Sequence, residues 1–281
     1  MSDNEEEEYL HQLVQLLEGA RRFDPYTSEN SGEWEVQPGS CLAVDDAASH
    51  PYRVSHSAWH ALTVAVDHLQ CLRSSMMTAD DAKHASTVIH THAQATLLRA
   101  VFENSARAVW LLDPVDHLER ITRSLRLQFK ETKNGHRVRD IVGAPSLRTQ
   151  EEACQRLDDL LVAAGGARDT ARKTLKNAPT YKDIVREAGA ATGIGEEIAE
   201  LLWSACSALA HGDTTATLLF LDREIVQTDG DVGLMKVNGS IPLLRHVTLV
   251  AVQMLDSGFS LYAQRAKTHV QLATPGSTPL R

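Results

Sequence analysis

Five polar residues recur at helical spacing inside an otherwise apolar stretch: His92, Thr96, Arg99, Glu103 and Arg107. At about 100° per residue they fall within an arc of roughly 80°. A second cluster stands at the end of a later apolar run, Ser207-Ala-Leu-Ala-His211-Gly212, with Ser207 one turn back on the face of His211. Brought together, the two sets hold the parts for metal-free cleavage of RNA. His211 would exchange protons, Arg107 or Arg99 would hold phosphate in a forked guanidinium, and Glu103 would orient either. The competing interpretation of Glu103, Arg107, Ser207 and His211 is a structural ion-pair network joining two core helices.

The stripe needs a rigid element to carry it. From Thr78 to Leu112 the chain reads as one long helix that is apolar on most of its circumference, with Val88, Ala95, Leu98, Val101, Phe102, Val109 and Leu112 spread around the stripe. Such a helix belongs in a core, so its charges need partners, and Glu103 and Arg107 are expected to pair at i,i+4. Thr78-x-x-Asp81 resembles a capping box at its start, and Asp113-Pro114 closes it and caps the next helix. Gly212 suits the left-handed residue that ends the helix bearing His211.

Around this centre the pattern predicts a helix over Glu5 to Arg22, a surface connection over Asp24 to Ser49, and a helix from about His50-Pro51 to Met77. A helix from Pro114 runs towards Lys133 and on to Asp140, and shorter ones cover Gln150–Ala164, Arg168–Lys176, Tyr181–Ala188 and Gly195–His211. Two apolar runs flanking Thr228-Asp229-Gly230-Asp231 predict a hairpin between Thr217 and Val237. A last helix spans about Pro242 to Lys267, followed by a Thr/Pro/Gly tail from Gln271 that reads as disordered. The expected fold is therefore all-α, a bundle of about seven to nine helices with one small β-hairpin near its C-terminal end. Three segments are expected: residues 1–50 as an acidic helix and connection, 51–270 as the bundle, and 271–281 as the tail.

Composition narrows the functional classes. The 281 residues are 43% hydrophobic, enough for a substantial core. The first 50 residues carry 12 acidic and 2 basic side chains, net −10, and the other 231 carry 25 and 26, net +1. Polyanion binding by the whole body is disfavoured, but a local basic stripe remains. Arg120, Arg123, Arg126, Lys130, Lys133 and Arg137 occupy an arc of about 140° on the Pro114 helix and make the best nucleic-acid signal in the chain. A solvated or self-paired face is the competing interpretation.

Cys41, Cys71, Cys154 and Cys206 form no C-x-x-C pair, so zinc-ribbon and redox motifs are absent and free thiols in a cytoplasm are expected. No signal peptide is read in the acidic start, and the longest apolar runs, such as Val247 to Leu255, are too short to span a membrane. An Arg to Lys ratio of 20 to 8 suggests bacterial coding. His56 and His60 are i,i+4 on one helix face, with His68 further along and His90 and His92 nearby, but Ser57 stands where H-E-x-x-H has Glu. No metal or cofactor is expected. Gly165-Gly166 and Gly193-Ile194-Gly195 lack the context of phosphate loops and read as turns.

A central helix with Glu103-Asn104-Ser105-Ala106-Arg107 followed by a helix ending Ser207-x-x-x-His211-Gly212 resembles bacterial helical families related to HEPN domains, over about residues 50–265. The resemblance implies a helical bundle, often dimeric, and in many members a metal-independent RNase of toxin and defence systems. That family's catalytic motif is Arg, four to six residues, then His, with a polar residue usually after the Arg. Here Cys206, Ala205 and Ser204 occupy the Arg positions before His211. Arg53 and His60 have the permitted spacing, but Val54 replaces the polar residue. Three functions follow as expectations: a non-catalytic interaction or regulatory protein; an RNase or RNA-binding effector; and a metal-dependent enzyme built around His56 and His60.

Overall fold

The computed structural model describes residues 3–28, 31–80, 84–230 and 232–268. Their first half forms α1 (Asp3–Gly19), a 3-10 helix (Ala20–Thr27), α2 (Cys41–Ser49), α3 (Val54–Met76), β1 (Met77–Asp80), β2 (His84–Thr87), α4 (Ala93–Leu112) and α5 (His117–Val142). The second half forms α6 (Gln150–Ala163), α7 (Ala171–Lys176), α8 (Tyr181–Ala191), α9 (Glu196–Ala210), α10 (Thr214–Phe220), β3 (Asp222–Asp229), β4 (Val232–Asn238) and α11 (Ile241–Ala266). The mainly helical class and a hairpin before the last helix agree with the sequence pattern, but the run 218–221 expected as the first strand falls in and just after α10, and β3 begins at Asp222. The described residues hold eleven α-helices rather than seven to nine.

Helix α4 is the axis of the molecule, packing at once against α3, α11, α8 and α9. Leu98, Val101, Phe102, Ala106, Val109, Leu111 and Leu112 point in different directions around it and are all buried. A helix apolar on nearly every side finds that much cover only at the centre of a bundle. Gly189 lets α8 cross α9 closely, because a Cβ there would meet Ala199 Cβ at 2.6 Å and the Gly195 carbonyl oxygen at 2.7 Å.

Several expectations about the elements are corrected. The rod from Thr78 does not form: residues 77–80 and 84–87 pair antiparallel, Met77 opposite Thr87, and α4 begins at Ala93. The run Thr87-Val88-Ile89, with Thr91, is β-branched and disfavours helix. Buried Gln94 then turns the chain, accepting from the His90 N–H at 3.1 Å and donating to the Val88 carbonyl at 2.8 Å. Asp81, Asp231 and the tail from Gln271 lie outside the described residues.

The stretch read as a connection over Asp24 to Ser49 contains α2, whose N-cap Ser40 accepts from the Ala43 N–H at 3.2 Å. The boundary drawn at residue 50 does not divide the core, since Leu13, Leu17, Phe23 and Leu42 belong to the same buried cluster as α4. Phe23 and Tyr26 stack on Phe259 of α11, and the Tyr262 hydroxyl donates to the Trp34 carbonyl at 2.7 Å.

The corner between α4 and α5 is held by two arginines. Arg120, 2% exposed, donates from Nε and Nη2 to the Asp45 carboxylate on α2 at 2.6 and 3.0 Å. Its Nη1 donates to the carbonyls of Pro114 and Val115, at 2.8 and 2.7 Å. From α11, Arg265 donates to the carbonyls of Leu112, Asp113 and Pro114. The carbonyls left open where α4 ends thus meet guanidinium donors. Asp113 ends α4 without capping α5; that cap is Asp116, which accepts from the Glu119 N–H at 2.8 Å.

Two tests follow. Asp45→Ala leaves the Arg120 charge buried and unmatched and should lower unfolding free energy by about 3–5 kcal/mol in urea titrations. Asp45→Ala combined with Arg120→Met should lose less than the two single changes added together. Burial raises the thiols of Cys154 and Cys206, the latter to about 12, whereas Cys41 and Cys71 are exposed. Maleimide at neutral pH should therefore label two thiols in the folded protein and four in urea, counted by mass spectrometry.

Candidate functional site

The end of α9 meets the first half of α4, so the two expected clusters do come together in part. Arg99 Nε donates to Glu103 Oε1 at 2.8 Å, and the same oxygen accepts from Trp203 Nε1 at 3.0 Å. Arg99 Nη1 lies 3.3 Å from His211 Nε2. A guanidinium has only donors, so in this contact His211 Nε2 is the acceptor. His92 Nδ1 reaches the Leu209 carbonyl at 3.0 Å, in the last turn of α9. Arg99 and Glu103 keep 27% and 15% side-chain exposure, so the stripe is a half-buried seam rather than a sealed one.

The helix end is set by the His-Gly step. Gly212 takes φ 69°, its N–H donates to the Leu209 carbonyl, and the Asp213 N–H donates to the Ala208 carbonyl, both at 3.0 Å. This double closure satisfies the last carbonyls of α9 and presents His211 at its tip, exposed.

Arg107 does not join this group. The expected Glu103–Arg107 pair is replaced by Arg99–Glu103, because the Glu103 carboxylate faces α9, where Trp203 also reaches it. Arg107 instead extends to Glu131 of α5 at 2.5 Å, and its Nε is buried without a partner among the described residues. Ser207 is half-buried and contributes its carbonyl to the His211 N–H at 3.2 Å. Arg53, His56 and His60 are exposed on or beside α3, and among the described residues no hydrogen bond or ion pair joins them to this seam. Among the described residues no three His, Cys, Asp or Glu side chains cluster as metal ligands.

The basic stripe on α5 divides in two. Arg120 is buried against Asp45 and cannot reach a phosphate backbone, a correction to its place in the stripe. Arg123 pairs with Glu119 and Glu187 and covers the Trp110 ring at 4.7 Å, while Trp110 Nε1 donates to Glu187 at 2.8 Å. Arg126 donates to the Thr174 carbonyl at 3.1 Å. These three are fasteners between helices. Lys130, Lys133 and Arg137 stay exposed, with Lys130 5.3 Å from the centre of the Tyr181 ring.

Two contributors escaped the sequence reading. Trp203 lies on the face of Ser207 and His211, two turns before the latter, a spacing that already pointed to the seam. His117, which contacts buried Asp45 through Nδ1 at 2.6 Å, gave no such signal.

Glu103→Ala removes the shared acceptor of Arg99 and Trp203 and should cost about 1–3 kcal/mol in urea unfolding. His211→Ala removes one exposed contact and should cost within about 0.5 kcal/mol. No protein-family model, curated protein or solved structure matches this chain.

Proposed function

We propose that this protein is a non-catalytic interaction protein of the HEPN-like helical kind, acting as a homodimer. The observation that carries the reading is how the polar groups of the seam are used. Arg99, Glu103, Trp203 and His211 are joined to one another, His92 is tied to a backbone carbonyl, and Arg107 is drawn away to α5. Cleavage of RNA without a metal asks for a base and a cation that both face the substrate. Here the imidazole nitrogen of His211 faces the guanidinium of Arg99.

The contact surface we assign is the β3–β4 arm. Ile225, Val226, Val232 and Leu234 are each more than half exposed, and Leu219 of α10 lies just before them in the chain. A lone two-stranded ribbon is marginal in water, and exposed apolar side chains concentrated on one short arm, Val232 and Leu234 on one face and Ile225 on the other, suit a partner surface. The occupant we assign is a second copy. β3 carries Arg223 near one end and Asp229 at the other, so two ribbons related by a two-fold axis set opposite charges against each other at both ends.

Sedimentation equilibrium at tens of micromolar should report a dimer. Ile225→Asp with Leu234→Asp should give a monomer with unchanged helical circular dichroism. A monomeric wild type, or a dimer indifferent to both substitutions, would overturn the assignment. RNA cleavage by the wild type that disappears in His211→Ala would replace it with the RNase reading, which the exposed Lys133 and Arg137 support.

A further inference from the structure

A cleft of about 510 Å³ lies between the second half of α5, the loop 143–149 and the first turn of α6, with Tyr52 at its edge. We propose that this cleft binds a small phosphate monoester, held by Arg139, Arg148 and His136. The inference is independent of the dimer assigned above.

The cations decide the sign of the ligand. Arg139 and Arg148 line the cleft and make no ion pair or hydrogen bond from their side chains among the described residues. That sets them apart from Arg73, Arg99, Arg120, Arg123, Arg172 and Arg186, each of which meets a carboxylate. Arg139 Nη1 folds back over Gly135 and would stand 3.8 Å from a Cβ at that position. A glycine inside a helix costs roughly 0.5–1 kcal/mol against alanine, and here its bare backbone leaves the floor of the cleft open.

His136 supplies a second, independent observation. It is 8% exposed, lines the cleft, and has no hydrogen-bond partner among the described residues. Its ring nitrogens are not among the sealed polar atoms of the core, so the largely buried imidazole reaches open space with its hydrogen-bonding capacity unused. The one carboxylate on the wall, Glu131, is already matched by Arg107. At the start of α6 the Glu152 carboxylate is turned to its own cap at the Thr149 N–H, 2.8 Å away, and the bonds to Thr149, with a smaller contribution from the Arg148 charge, hold it below the ordinary carboxylate range.

Two forked guanidinium groups and an imidazole around one space suit a phosphate dianion. The phenol ring of Tyr52 and the exposed side chain of Leu147 provide apolar wall for the body of the ester, and the volume falls within the usual range of small-ligand sites.

Isothermal titration of the full chain with phenyl phosphate tests the proposal, with inorganic phosphate and benzyl alcohol as separate titrants. Phenyl phosphate should bind one to one, inorganic phosphate more weakly, and benzyl alcohol without measurable heat. Arg139→Ala with Arg148→Ala, both at exposed positions, should weaken phenyl phosphate at least tenfold while the melting temperature of the free protein stays the same. His136→Gln, which keeps a donor in the buried position, should weaken it less than the double arginine change. No binding of phenyl phosphate, or equal affinity in the double arginine variant, would overturn the proposal.

Discussion

The buried pair of Asp45 and Arg120 is the constraint on which the arrangement rests. A carboxylate at 0% exposure and a guanidinium at 2% are each costly to take from water, and neither is tolerable without the other. Their geometry is favourable, two donors on one carboxylate, and the remaining guanidinium nitrogen is used by two backbone carbonyls. Lysine could not replace this, since its ammonium has no planar fork. The pair therefore sets three things together: where α2 lies, where α4 stops, and the direction in which α5 leaves. Arg265 secures the same corner from α11, so four helices share one polar joint.

A second consequence of a crowded centre is competition for acceptors. α4 brings three ionic side chains to one face, and neighbouring helices decide which partner each takes. Glu103 is claimed by Arg99 on its own helix and by Trp203 from α9. Arg107, one turn further, then finds Glu131 on α5 and leaves its Nε unsatisfied. The division follows from which helix lies over each turn of α4, because all three side chains are long enough to choose otherwise.

How much of this was legible in the residues depends on the distance over which a signal acts. The all-round apolar character of α4, the stop at His211-Gly212 and the hairpin before the last helix are local or periodic properties, and each is visible in the chain. The meeting of α4 with the end of α9 was anticipated only from residue chemistry. The pairing inside it was misjudged because i,i+4 spacing cannot foresee Trp203. Arg120 looked like one cation among six on a helix face, and nothing nearby in sequence announces Asp45, 75 residues earlier. α2 was hidden by its nine-residue length and by the glycines and prolines before it, while β1 and β2 were hidden by continuing a helical period across a β-branched run.

The packing of α1 and the 3-10 helix against α11 also bears on how the chain assembles. Trp34 and Tyr262 are joined across 228 positions, and the Gln37 N–H donates to the Ala266 carbonyl. Contacts so remote in sequence close only after nearly all the chain has been made. Leu13, Leu17 and Phe23 therefore wait, uncovered, while the ribosome completes the segment that will cover them. The acidic side chains from Glu5 to Glu8 beside them repel their like, which opposes self-association of a stretch left uncovered.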